Sequence, residues 1–144
     1  MLTFNPFELH KIDINDLIDC KGNDDQNDFP YTTAYDFLMG SCHLFALALY
    51  RKFGYKICEI RDSHNNLTHS FCVVKNDLQT FFIDVRGATI DFKEFISYFS
   101  TTITTRDIHP LGTQDEVQLK DKWDIIGLQF ANAIIEKYPE CYTI

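Results

Sequence analysis

Hydrophobic positions crowd most densely between Gly40 and Gly54. Leu44, Phe45, Ala46, Leu47, Ala48 and Leu49 follow one another without a polar break, so two helical turns have no solvated face. The pattern predicts a buried central helix within Gly40 to Phe53. Gly40 and Ser41 stand where the chain turns and caps, and Gly54 where a left-handed terminator is wanted. After Gly54 the period changes to two. Tyr55 to Arg61, Thr68 to Lys75 and Thr80 to Val85 read as strands, rich in β-branched and aromatic residues. Asp62 to Asn66 is a polar turn, Asn76 and Asp77 occupy a hairpin turn, and Gly87 closes the sheet segment.

The flanks are weaker. Ile12, Ile14, Leu17 and Ile18 support one short amphipathic helix within residues 1–20. Lys21 to Pro30 is polar and turn-rich and reads as a solvated loop; its Asp and Asn content suits calcium, but the spacing fits no EF-hand and no Glu closes it. Phe29 to Met39 leads into the central helix, with Tyr31, Tyr35 and Phe37 available to pack the core or line a pocket. Asp91 and Glu94 make a capping box before Phe92, Phe95, Ile96 and Phe99. Residues 100–119 are mixed, with a Pro-Leu-Gly turn at 110–112, and residues 121–138 form a final helix. Helices, central helix, antiparallel strands and helices, with no repeat or low-complexity tract, give an α+β class and a single domain over residues 1–144.

Charge narrows the partners. Thirteen basic against 21 acidic residues leave −8, which disfavours nucleic acid and anionic membrane and suits solubility or a basic partner protein. No apolar run approaches the roughly 20 residues of a membrane helix. No basic segment precedes an apolar one at the start, so no signal peptide is visible. The five cysteines are odd in number and show no paired spacing, which favours a reducing compartment over a disulfide framework. The expectation is a cytoplasmic protein.

These elements put one cysteine in a special place. Cys42 falls at the start of the central helix, where the dipole and unpaired amides favour a thiolate. Cys20, Cys58, Cys72 and Cys141 read as small core hydrophobes. A thiolate nucleophile needs a base, and the base an orienting group. With Asn76 and Asp77 as a two-residue hairpin loop, or Lys75 to Leu78 as a four-residue one, residues whose numbers sum to 153 face each other, which sets His69 opposite Asp84. The carboxylate is then expected to hold the imidazole by its Nδ1–H. His64, in the polar turn, is a rival base. His43 points about 100° round the helix from Cys42, towards solvent or a substrate. An oxyanion hole would combine the Cys42 N–H with an upstream donor from among Gln26, Asn27 and Tyr35. Cys42, His69 and Asp84 are also admissible zinc ligands, but no His-x-x-x-His motif accompanies them. No metal or cofactor is expected.

Gly40-Ser41-Cys42-His43-x-Phe45-Ala46-x-Ala48-Leu49, then Phe53-Gly54-Tyr55, then His69 on one strand and Phe82-Ile83-Asp84-Val85 on the next, resembles the core of transglutaminase-like cysteine enzymes, part of the wider papain-like group. The resemblance covers residues 38–88. It implies a nucleophile helix packed on an antiparallel sheet with flanking helices, and catalytic roles for Cys42, His69 and Asp84 in that order. Ser70 follows the histidine where such proteins often carry an aromatic, and His43 replaces the Trp or Tyr of the papain signature. Two functions follow as expectations. One is a cysteine hydrolase or acyl transferase acting on an amide of a protein or peptide: a peptidase, an amidase or a glutamine deamidase. The other is an inactive module of the same fold that binds a partner protein. An acyl-CoA-dependent N-acetyltransferase has the same order of residues, but no basic stretch is present to hold CoA phosphates.

Overall fold

The computed structural model describes residues 1–19, 32–111, 119 and 122–144. Among the described residues the first elements are single-turn helices, α1 (Pro6–Leu9), α2 (Ile14–Leu17) and α3 (Asp36–Met39). Where one amphipathic helix was expected near the start there are two. Asn5 caps α1 with a reciprocal capping box, and Asp13 starts a new turn by accepting from the Asn15 N–H. Helix α4 (Cys42–Phe53) is the expected central helix: Leu44 to Leu49 are all buried, and Gly54 ends it at φ +75°. Ser41 takes the N-cap position, but its hydroxyl makes no cap bond.

Strands β1 (Lys56–Arg61), β2 (Leu67–Lys75) and β3 (Thr80–Asp84) follow the period-two segments closely. Two further strands, β4 (Gly87–Thr89) and β5 (Ile108–Pro110), complete an antiparallel sheet of order β4-β3-β2-β1-β5. Gly87 therefore does not close the sheet; it opens β4 after a tight turn at Val85–Arg86. Helix α5 (Phe92–Ile96) is followed by a 3-10 turn (Thr105–Asp107) before β5, and α6 (Lys122–Lys137) and α7 (Pro139–Tyr142) end the chain. Asp91 caps α5, but Glu94 does not return the bond; its carboxylate takes the Leu2 N–H and the Thr89 hydroxyl. The α+β class holds. No described helix is long and apolar enough to cross a membrane.

The β2–β3 hairpin differs from expectation in a way that matters for the site. Asn76 Oδ1 accepts from the N–H groups of Leu78 and Gln79, which makes a four-residue loop, Asn76–Gln79. Lys75 then pairs with Thr80 and Cys72 with Ile83, so facing residues sum to 155 and not 153. His69 is not directly opposite Asp84. A two-residue slip preserves the face, however, because side chains alternate with period two.

The sheet separates two clusters. On one face Ile57, Cys72 and Ile83 meet α4, which packs in turn against Phe130 and Ile134 of α6. On the other face Cys58, Ile60, Phe71 and Phe82 meet Phe95 and Ile96 of α5. His69 and Asp84 belong to this second face. Cys42, at the start of α4, belongs to the first.

Candidate functional site

The Cys42 sulfur reaches the strand that carries His69 because the sheet is incomplete where α4 begins. The β2–β3 ladder stops at Cys72↔Ile83, so the Ser70 N–H on β2 has no β3 partner; it donates to Cys42 Sγ at 3.3 Å. One residue before Ser70, the β1–β2 register slips between Ile60↔His69 and Arg61↔Leu67, leaving Thr68 as an extra residue on β2. Such bulges re-aim neighbouring side chains. The ring of His69 is wholly buried, stacked on Phe99 at 4.4 Å between centroids and on Phe71 at 5.9 Å.

His69 Nε2 lies 2.8 Å from Asp84 Oδ2. Asp84 is ionised, so its oxygens can only accept and the Nε2–H must donate. This corrects the expected Nδ1–H contact. Nδ1, buried and without a hydrogen-bond partner of its own, is left as the basic atom of the ring. Burial alone raises the Cys42 thiol, but the nearness of His69 and the Ser70 amide outweigh it, and the thiol ends below its ordinary value. Burial likewise lowers His69, yet the bond to Asp84 and the nearness of Cys42 carry it above its usual value. Both shifts favour a thiolate–imidazolium pair.

Asp84 is held by a residue the sequence reading missed. Burial raises its carboxyl, but the charge of Arg86 and the bonds to His69 and Arg86 bring it down to about 2. Arg86 is as buried as Asp84. It gives the carboxylate its backbone N–H, Nε and Nη2, and donates Nη2 to the Phe95 carbonyl, its guanidinium lying over the Phe95 and Phe99 rings. The turn carrying it is tied from both chain ends: Thr3 and Phe4 N–H donate to Arg86 O, and the Tyr142 hydroxyl donates to Val85 O. One signal was available in the sequence. A carboxylate among Phe82, Ile83 and Val85 needs a cation, and Arg86 is the nearest along the chain.

Other candidates fall elsewhere. His64 is exposed in the β1–β2 turn, its N–H tied to Asp62 Oδ1. His43 is half-buried on the first turn of α4. Cys20, Gln26, Asn27, Tyr31 and the loop Lys21 to Pro30 lie outside the described residues. The Tyr35 hydroxyl shares a 2.7 Å hydrogen bond with the Tyr98 hydroxyl, and the Tyr35 ring stacks on His10. Tyr98 abuts Phe99 edge-on, so an aromatic chain runs from the surface to His69. As the first residue of α4, Cys42 carries one of the amides that a helix leaves without an intrahelical acceptor. A zinc ion has no obvious place here, because the guanidinium of Arg86 already lies on both oxygens of Asp84. The arrangement can hold a thiolate, move a proton through Nδ1 and stabilise a developing oxyanion at the helix start. The chain matches no family model, no curated protein and no solved structure.

Proposed function

We propose that this protein is a cysteine-dependent hydrolase or acyl transferase acting on an amide bond of a protein or peptide, with a papain- or transglutaminase-like relation of helix to sheet. One arrangement carries the reading: a thiol on the first residue of a buried helix is bound by the Ser70 N–H, and the residue before Ser70 is an imidazole whose Nε2 is bound to a buried carboxylate. Cys42 Sγ attacks the carbonyl carbon, and the oxyanion forms beside the Cys42 N–H at the start of α4. Protonated His69 gives its Nδ1 proton to the leaving nitrogen, the C–N bond breaks, and a thioester remains on Cys42. Nδ1 then takes a proton from water, whose oxygen attacks the thioester and releases the acid and the thiolate. An amine in place of water makes the step a transfer. Asp84 keeps the ring in one tautomer and stabilises the imidazolium without taking the proton.

A second reading, a partner-binding module of the same fold, is favoured by one observation: Cys42 is only 9% exposed and His69 not at all, so the sulfur has a narrow approach. The deciding experiment incubates the wild-type chain and Cys42→Ala with a mixture of proteins and peptides, reading cleavage, deamidation, cross-links and acyl adducts on Cys42 by mass spectrometry. Products from the wild type alone are expected. Equal products from both chains refute the nucleophile, and a wild-type chain that yields none supports the binding module.

A further inference from the structure

The face of the sheet turned away from α4 is only partly covered. Alternation along β1, β2 and β3 puts Lys56, Cys58, Val73, Lys75, Thr80 and Phe82 on that face. Helix α5 covers the end nearer Phe71. At the other end an open groove of about 950 Å³ remains, floored by Cys58, Val73 and Phe82 and walled by Phe92 and Ile108. Leu78 and Ile90, 92% and 52% exposed, stand on its rim. Large apolar side chains left this open around one groove suggest something that covers them.

The charge of this groove inverts that of the molecule. The chain carries −8, yet no described lining residue is acidic and two are lysines. Lys56 lies opposite Val73, two residues from Lys75, so the two ammonium groups are diagonal neighbours on one face, where like charges repel. Neither is within ion-pair distance of a carboxylate among the described residues. An apolar floor ending in two uncompensated cations is complementary to an anion with a hydrophobic body.

We propose that this groove binds a small amphipathic carboxylate. Its apolar chain lies on Cys58, Val73 and Phe82 beneath Leu78 and Ile90, and its carboxylate sits between Lys56 and Lys75. The volume lies within the range of small-molecule sites. Its lining includes none of Cys42, His69 and Asp84, and the rings of Phe71 and Phe95 stand on the side nearer His69, so the inference is independent of the proposed chemistry.

Dodecanoate, dodecyltrimethylammonium and an acidic peptide of glutamates are titrated into the full chain by calorimetry, below the micellar concentration of each surfactant. Dodecanoate is expected to bind one per chain. The exposed Lys56→Glu/Lys75→Glu double variant should weaken it roughly tenfold, as reversing two charges at a partly exposed site does. Val73→Trp, which fills the floor, should abolish binding in a chain whose circular dichroism is unchanged. The proposal is overturned if the cationic surfactant binds as well as dodecanoate, if the lysine variant keeps full affinity, or if dodecanoate does not bind. Binding of the glutamate peptide in preference to dodecanoate also overturns it, in favour of an acidic protein segment.

Discussion

Arg86 lies side-on against Asp84, with Nε 3.1 Å from each carboxylate oxygen and Nη2 2.7 Å from Oδ2. Both side chains are 3% exposed, so neither charge has water to fall back on. A buried pair is strongly destabilised when one partner is removed, because the other is left uncompensated. Arg86→Met is therefore expected to cost about 3–5 kcal/mol in urea unfolding at neutral pH. Arg86→Lys keeps the charge but not the fork, and should fall between the two. A loss below about 1 kcal/mol for Arg86→Met would mean that water or another cation replaces the guanidinium.

The same pair sets an acid limit on stability. The Asp84 carboxyl stands at about 2 in the fold, against an ordinary 3.8, with Arg86 and His69 overcoming the burial that pushes it up. A depressed carboxylate contributes stability that is present above its unfolded pKa and is lost as pH falls through the folded one. Between pH 4 and 2 the chain should lose roughly 2 kcal/mol from this group alone. Unfolding curves across that interval test it: Asp84→Asn should be less stable at pH 7 and should show a shallower slope below pH 4. His69 acts in the opposite direction. Its raised pKa contributes stability present below the ordinary 6.5 and lost as pH climbs through the folded value.

Much of this site was legible in the sequence, for reasons that particular residues make plain. Leu44 to Leu49 leave a helix no surface to show, so α4 and the place of Cys42 at its start follow from the pattern. His69 and Asp84 were expected to be direct neighbours. They are diagonal ones instead, because Asn76 draws two more residues into the hairpin loop. They still touch, since both counts keep the same face. Arg86 was overlooked because it lies past the end of β3, in a turn whose backbone is fixed by Thr3, Phe4 and Tyr142 from the far ends of the chain. No local pattern reports such contacts. β4 and β5, three residues each, are too short for alternation to declare itself, and depend on the neighbours they pair with.

The surroundings of Cys42 separate it from the other described thiols. Burial pushes Cys58, Cys72 and Cys141 up, whereas Cys42 is brought below its ordinary value by His69 and the Ser70 amide despite its burial. Iodoacetamide at pH 7, with adducts located by peptide mapping, should therefore label Cys42 first among these four. Its rate against pH should have a midpoint below that of a free thiol. His69→Ala removes the leading causes of the lowering and leaves the burial, so the midpoint should move up past the free-thiol value. An unchanged profile in His69→Ala would break the link between sulfur and imidazole.

Gly87 ties the Asp84–Arg86 pair to the rigidity of the turn. It directly follows Arg86, opens β4 and holds φ at +110°, a conformation that side chains rarely adopt. A Cβ there would stand 3.1 Å from Thr3 Oγ1 and 3.3 Å from the Cys141 carbonyl, so the strain cannot be relieved by moving into open space. Gly87→Ala should cost about 1–3 kcal/mol, read from urea unfolding. Relief of that strain would shift the Val85–Arg86 turn, and with it the guanidinium that keeps Asp84 ionised beside His69. The variant should therefore also alkylate Cys42 more slowly at pH 7 than the wild type, while Gly54→Ala, strained at φ +75° but facing open space, should lose stability with Cys42 reactivity unchanged. Equal reactivity in Gly87→Ala and wild type would show that the turn supports the fold without tuning the thiol.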